Sequence, residues 1–475
     1  MTISADVRGK KIYCMGLCGT GMGSLAGLLK SRGAEVWGSD ENVYPPMSEK
    51  LAEWGIRVCN GYDVKNLDPS PDLVVIGNII RKTNLEAQHV LQAGLAYISM
   101  PEAIAQFGIG ERQSIVVTGT HGKTTTTAIL SHVLEAANLD PSYLVGGALV
   151  GYPNSFKFGS GNQFVVEGDE YDTSFFDKGP KFRHYRPDIA ILTSLEFDHA
   201  DIFSDVGAVE NAFKKLWDVI PENGCLVVWG GAKRALSLLK GAHYGFSVVR
   251  YGEGSDADDF ECYGKGIRYS EEGCFFDVNF RGRELLNLFI PLWGRFAVQN
   301  VLAAVAVHLV IGLSEVEIRE GLATYPGVRR RLEVCATWGA GVIVVDDFGH
   351  HPTAIKETLQ AARQRWPNRR LWALYEPRSA TARRNVLERE LQNALLGADC
   401  VVIASHERLM EIPEAERFSP VGMAEALCLA GLDAWSIDEP ALIVKHLQRH
   451  AEREDVVVMF SNGSFGGLRE LLSKT

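Results

Sequence analysis

The run Ser114-Ile115-Val116-Val117-Thr118-Gly119-Thr120-His121-Gly122-Lys123-Thr124-Thr125-Thr126 constrains this chain more than any other stretch. An apolar, β-branched segment passes at once into two glycines, a lysine and successive threonines. That order predicts a buried strand feeding a glycine loop and then a helix, the unit of a parallel α/β sheet. Backbone N–H groups converge at such a loop, and the helix dipole favours an anion there. Lys123 would reach the terminal phosphates of a nucleotide, and the Thr124 hydroxyl would ligate Mg²⁺. The loop departs from the general Gly-x-x-x-x-Gly-Lys-Thr rule. Val117 holds the first glycine position, and Gly119 supplies the flexibility instead.

The rest of the chain repeats the strand–helix alternation. With 475 residues, about three domains are expected at roughly 150 residues each. Strands are expected at 11–15, 34–37 and 73–76, with helices at 22–32 and 48–54. The pattern restarts at Ser114, with further strands at 164–167, 189–193 and 225–229 and a helix at 297–309. Residues 256–283 are glycine-spaced and alternating, which reads as antiparallel strands added to the sheet. A third beginning falls near Pro326, with strands at 341–345, 371–375, 400–404 and 456–460. The expected domains are therefore 1–108, 109–325 and 326–475. The fold class is α/β: a Rossmann-like first domain, a central P-loop domain with added antiparallel strands, and a Rossmann-like third domain.

Composition narrows the function. The formal net charge is −11, which argues against a general nucleic-acid binder. Nine scattered cysteines, an odd number with no Cys-x-x-Cys pair, read as reduced thiols of a cytosolic protein. No signal-peptide core and no long apolar run is present, so a cytoplasmic location away from membranes is expected.

Other segments carry candidate chemistry. Gly16-Leu17-Cys18-Gly19-Thr20-Gly21-Met22-Gly23 also follows a strand and precedes a helix. It suits a dinucleotide, a UDP-sugar or any diphosphate, and Asp40 follows the second strand, where it could hold a ribose. A nicotinamide-dependent dehydrogenase would rest on this turn alone. Glu167 and His199 follow strands whose ends share an edge with the phosphate loop, so both could face the γ-phosphate and hold Mg²⁺. Arg329-Arg330-Arg331 opens the third domain, where one arginine could clamp phosphate on domain closure. Asp347 suits the ATP ribose, and Arg378 suits a substrate carboxylate.

The segments Gly119-Thr120-His121-Gly122-Lys123-Thr124-Thr125 and Asp347-Phe348-Gly349-His350-His351-Pro352 together closely resemble the Mur ligase family, over essentially the whole chain. The resemblance implies UDP-binding, ATPase and amine-substrate domains, and an acyl phosphate made from a carboxylate and ATP. It assigns Gly119, Thr120, His121, Gly122, Lys123, Thr124, Thr125, Asn300, Arg330 and Asp347 to ATP. Thr124 and Glu167 would hold one Mg²⁺ and His199 a second. Lys123, Glu167, His199 and Arg330 would be catalytic. Gly19, Thr20, Gly21, Met22 and Asp40 would serve the UDP-sugar, and Arg378 and His351 the peptide.

Within the family, Val166-Glu167-Gly168-Asp169-Glu170-Tyr171-Asp172-Thr173, His184-Tyr185-Arg186-Pro187 and Glu376-Pro377-Arg378-Ser379 are similar to members that join UDP-N-acetylmuramate to the tripeptide L-Ala-γ-D-Glu-meso-diaminopimelate. The alternatives are L-alanine as the amine, or a muropeptide sensor that binds without turnover. A monomer or homodimer is expected. One segment departs from the family pattern Gly-x-His-Asn-x-x-Asn. It reads Gly294-Arg295-Phe296-Ala297-Val298-Gln299-Asn300, so the histidine and first asparagine that flank adenine are absent.

Overall fold

The computed structural model describes residues 6–196, 202–203, 205–240, 244–254, 260–339 and 341–473. Three sheets follow one another along the chain. The first holds β1 (Lys11–Met15), β2 (Glu35–Asp40), β3 (Arg57–Asn60), β4 (Leu73–Ile76) and β5 (Tyr97–Ser99). All its pairings are parallel, in the order β3-β2-β1-β4-β5. The order reverses between β1 and β4, and the first glycine turn leaves β1 at that switch point.

The second sheet holds β6 (Gln113–Thr118), β7 (Ser142–Leu144), β8 (Phe156–Lys157), β9 (Gln163–Glu167), β10 (Ile189–Leu192), β11 (Cys225–Trp229), β12 (Ser247–Glu253), β13 (Cys262–Tyr269), β14 (Cys274–Phe280) and β15 (Arg283–Ile290). Its order is β15-β14-β13-β12-β11-β10-β6-β9-β7-β8. The phosphate-loop strand β6 thus lies between β9 and β10, parallel to both. Side chains along β6, β9 and β10 are almost wholly buried, as expected of strands covered on both faces. The antiparallel addition runs through β13, β14 and β15. It therefore ends at Ile290, beyond the expected limit at 283. Exposed and buried positions mix along β13 and β15, because only one face of that addition meets the core.

The third sheet holds β16 (Glu333–Trp338), β17 (Val342–Asp347), β18 (Leu371–Tyr375), β19 (Cys400–Ile403), β20 (Asp433–Ser436) and β21 (Val456–Phe460). It is ordered β16-β17-β21-β18-β19-β20. β16 is antiparallel to β17 and the other pairings are parallel. The Rossmann-like expectation holds, with an unforeseen antiparallel edge.

One apolar cluster spans the first two sheets, and each of them keeps a further cluster on its other face. Leu28 and Phe107 pack in one cluster with Phe156, Phe164 and Phe213, and Trp54 meets Phe156 edge to face at 5.0 Å. The third sheet keeps two clusters built from its own residues. It meets the rest through polar groups, through the close approach of Gly294 to Ala361, and through the segment 327–329, which pairs with residues 148–150. Among the described residues, no helix is long and apolar enough to cross a membrane. All nine cysteines are free thiols, and Cys14, Cys225, Cys262, Cys274 and Cys400 are buried.

Candidate active site

The phosphate loop leaves β6 and enters the helix Lys123–Ala136, whose N-terminus has no side-chain cap. Gly119 and Gly122 both take positive φ, +123° and +82°. A side chain at Gly119 would collide with the Thr193 hydroxyl, and one at Gly122 with the Asn300 amide. The end of β10 pins the loop from below. Thr120 N donates to Ser194 O at 3.2 Å, and His121 N donates to Ser194 Oγ at 2.9 Å. Lys123 Nζ donates to Gly119 O at 2.7 Å and to Glu170 Oε2 at 3.2 Å. Burial opposes the Lys123 charge, but Glu170 and Asp169 outweigh it and hold the ammonium above its ordinary pKa.

Carboxylates gather at the end of β9. The Thr124 hydroxyl donates to Glu167 Oε2 at 3.0 Å, and Gly146 N donates to the other oxygen. Burial pushes the Glu167 carboxyl up, and Asp169 adds to this. Lys181, 6% exposed, donates to Asp169 Oδ2 at 2.8 Å. Burial would raise the Asp169 carboxyl, yet Lys181 and Lys123 hold it well below the usual range. Thr124 and Glu167 present hard oxygen atoms at a helix N-terminus, a donor set that fits Mg²⁺.

The third domain reaches the same place through its helix Pro352–Arg365. His351 caps that helix, and its ring lies 4.8 Å from that of His121. Glu196 Oε2 accepts from Thr353 Oγ1 at 2.8 Å and lies 3.4 Å from His121 Nε2. Burial opposes the Glu196 charge, but the His121 hydrogen bond and charge bring its pKa down to about 2. Glu196 therefore ties the phosphate loop to the third domain.

Between the two domains runs a cleft of about 720 Å³. Its lining passes from Lys123 and Thr124 through Asn300 to Trp293, Phe296 and Ala297. The opposite wall carries Arg331, Asp347, Ala354, Glu357 and Ala361. The Phe296 ring is stacked on His121 at 6.5 Å. Gly294, at φ +95°, meets the third-domain helix so closely that a Cβ there would lie 2.7 Å from Ala361 Cβ.

The first-domain turn is set by backbone hydrogen bonds. Gly16 N and Leu17 N donate to Ser39 O at 2.9 and 3.0 Å. Asp40 accepts from Cys18 N at 2.8 Å and from Asn42 N at 2.9 Å. The helix Thr20–Ser31 begins at Gly19, again without a side-chain cap.

Three family models cover most of the chain: the Mur ligase family catalytic domain over residues 11–112, the Mur ligase middle domain over 117–308, and the Mur ligase glutamate ligase domain over 330–463. A Haemophilus influenzae protein named UDP-N-acetylmuramate–L-alanyl-γ-D-glutamyl-meso-2,6-diaminoheptandioate ligase is 35% identical over 462 residues, 97% of this chain and 98% of the relative. The chain belongs to the Mur ligase family. Members are ATP-dependent ligases, and so is this chain.

A Mur ligase from Leuconostoc mesenteroides named UDP-N-acetylmuramate–L-alanine ligase is 38% identical, over 83% of this chain and 84% of its own length. The crystal structure of a murein peptide ligase from Psychrobacter arcticus superposes with a TM-score of 0.73 at 32% identity, covering 98% of both chains.

Against this Mur ligase frame, most of the expected residues converge. Gly119, Thr120, His121, Gly122, Lys123, Thr124, Thr125, Glu167, Asn300 and Asp347 all gather at the phosphate loop and its cleft. His199 lies outside the described residues. Arg330 stands apart from the lining of the cleft. Its backbone takes φ +61°, and its guanidinium pairs with Asp346 at 3.1 Å and donates to Ser461 O and Gly463 O. Its neighbours Arg329 and Arg331 line the cleft instead.

His351 was expected at the peptide. It packs with His121 and Glu196 beneath the phosphate loop, because the helix it caps docks there. Met22 is 3% exposed, its side chain packed in the apolar cluster of the first domain. Asp347 is buried and accepts from Leu332 N and Gly349 N, which orients the loop after β17. Arg378 stands half-buried against Gly463, away from the nucleotide cleft. Sequence reasoning missed Lys181, Ser194, Glu196 and Glu357 as parts of the site. Glu196 and Ser194 follow β10, and the rule that strand ends share an edge with the loop would have found both.

Proposed function

We propose that this Mur ligase joins UDP-N-acetylmuramate to the tripeptide L-Ala-γ-D-Glu-meso-diaminopimelate at the expense of ATP. The observation that carries this reading is full-length similarity, 35% over 97% of the chain, to the Haemophilus influenzae relative bearing that activity in its name. In this scheme residues 1–108 hold the UDP-sugar, 109–325 hold ATP, and 326–475 hold the amine substrate.

The carboxylate oxygen attacks the γ-phosphorus, the bond to the bridging oxygen breaks, and ADP leaves. The amine nitrogen then attacks the acyl carbon, phosphate departs, and the nitrogen loses a proton. Lys123 and the loop amides orient the phosphates and offset repulsion between two anions. Thr124 and Glu167 are the residues that would hold Mg²⁺, which neutralises phosphate charge when bound. The glycine turn at Gly19, Thr20 and Gly21 offers an uncapped helix N-terminus to the diphosphate of the sugar nucleotide. Glu196, bridging His121 and Thr353, keeps the third domain against the loop, so that water is kept from the acyl phosphate.

A second reading replaces the tripeptide with L-alanine. The greater identity of the Leuconostoc mesenteroides relative over a shorter span favours it. The test is phosphate release with UDP-N-acetylmuramate, Mg²⁺ and ATP, comparing the tripeptide with free L-alanine. Turnover with the tripeptide and a new amide product supports the first reading. Turnover with L-alanine alone replaces it with the second. Silence with both amines overturns both readings of the amine substrate.

A further inference from the structure

The cleft has two chemically different ends. Lys123, Thr124 and the helix N-terminus fix where phosphates lie, so the base of a bound nucleotide must point along the cleft toward Trp293, Phe296 and Ala297. Phe296 presents an aromatic face there, suited to stacking on a purine. Neither Phe296 nor Ala297 has a polar group to read the edge of a base.

The opposite wall has one. Glu357 lines the same cleft from the third-domain helix. Its Oε2 is shut off from solvent and has no hydrogen-bond partner among the described residues. An orphaned buried acceptor destabilises a protein unless something satisfies it. Burial pushes the Glu357 carboxyl up, while Arg295 and Lys356 act against the shift. The helix carrying it is held at Gly294 by close approach to Ala361, which keeps Glu357 opposite the Phe296 end.

We infer that Glu357 reads the purine edge of the nucleotide, and that its carboxylate admits guanine alongside adenine. The chemistry follows from the donor pattern. An ionised carboxylate only accepts hydrogen bonds. Guanine presents N1–H and N2–H₂ side by side, and a turn of the Glu357 carboxylate that brings the sealed Oε2 out toward the cleft offers both oxygens to that edge. Adenine presents N6–H₂ alone, next to the acceptor N1. The residue acts on base selection and leaves the phosphate end to Lys123. The inference rests on the nucleotide reading of the cleft and deepens it.

The test compares ATP with GTP in ligation by the full chain, and ADP with GDP in calorimetric binding. It uses the wild type, Glu357→Gln and Glu357→Ala. A glutamine adds donors that oppose those of guanine but complement the N1 and N6–H₂ edge of adenine. The wild type is expected to use GTP within about tenfold of ATP, and Glu357→Gln to move the ratio toward ATP by about tenfold or more. Glu357→Ala should weaken GDP more than ADP. A ratio reports only on folded protein, so partial unfolding does not imitate the effect. Unchanged ratios in both variants, or no GDP binding by the wild type, overturn the inference. Binding that shifts as described without ligation by either nucleotide leaves it standing and removes the proposed reaction instead.

Discussion

Replacing His308 by leucine should flatten the acid side of the stability profile. His308 is fully buried in the helix Arg295–Val310, with Nδ1 unpartnered and Nε2 3.4 Å from Leu130 O. Burial lowers its pKa from 6.5 to about 4. An unfolded chain binds a proton here below pH 6.5, but the folded chain does not until about pH 4. The unfolded state thus holds more protons throughout that window, and stability is lost as pH falls through it, by about 1.4 kcal/mol per unit. Between pH 7 and 4.5 the loss from this residue is about 2–3 kcal/mol.

Leucine cannot titrate and has comparable volume. Chemical denaturation of wild type and His308→Leu at both pH values, followed by tryptophan fluorescence, isolates the term, because every other group is common to both. The gap between the two proteins should change by that amount in favour of the variant at pH 4.5. Parallel profiles would refute a neutral buried imidazole.

Lys123→Ala should lower kcat by about 10²–10³-fold or more and leave UDP-N-acetylmuramate binding intact by calorimetry, since the first-domain turn is a separate site. Arg331→Ala should reduce kcat/KM for ATP by about 10–100-fold. Arg330→Ala should instead lower thermal stability by about 1–3 kcal/mol, because two carbonyl groups lose their donor and Asp346 is left with Arg469 alone. If Arg330→Ala hurts nucleotide binding while Arg331→Ala is silent, the assignment of the two is reversed. Gly122→Ala forces a side chain into positive φ at about 1–2 kcal/mol and against Asn300. Weaker ADP binding at unchanged UDP-sugar binding is its expected signature.

The parallel strands were legible because they are buried on both faces and so appear as unbroken apolar runs, such as Ile189–Leu192 and Val456–Phe460. Short or half-exposed strands were not. Arg57–Asn60 and Tyr97–Ser99 owe their conformation to a neighbour in the sheet rather than to a pattern of their own. The phosphate loop was legible because its chemistry is local. The third domain's contribution was not, because three consecutive arginines look alike until the backbone turns Arg330 away. In the same way, His351 reveals its place only when the helix it caps docks beside His121. Glu357 sits among polar residues on an amphipathic helix, and no spacing rule separates it from a solvated neighbour.

Gly294 touches no substrate in this scheme, yet it sets a tolerance. With Ala361 resting on its bare α-carbon, the separation of the two cleft walls is fixed to within a methyl group. A larger residue there would act as a shim, lifting the wall that carries Glu357 while leaving every base-facing side chain unchanged. Nucleotide preference in this enzyme is therefore inherited partly through a position with no side chain, and a variant that alters it need not lie at the base.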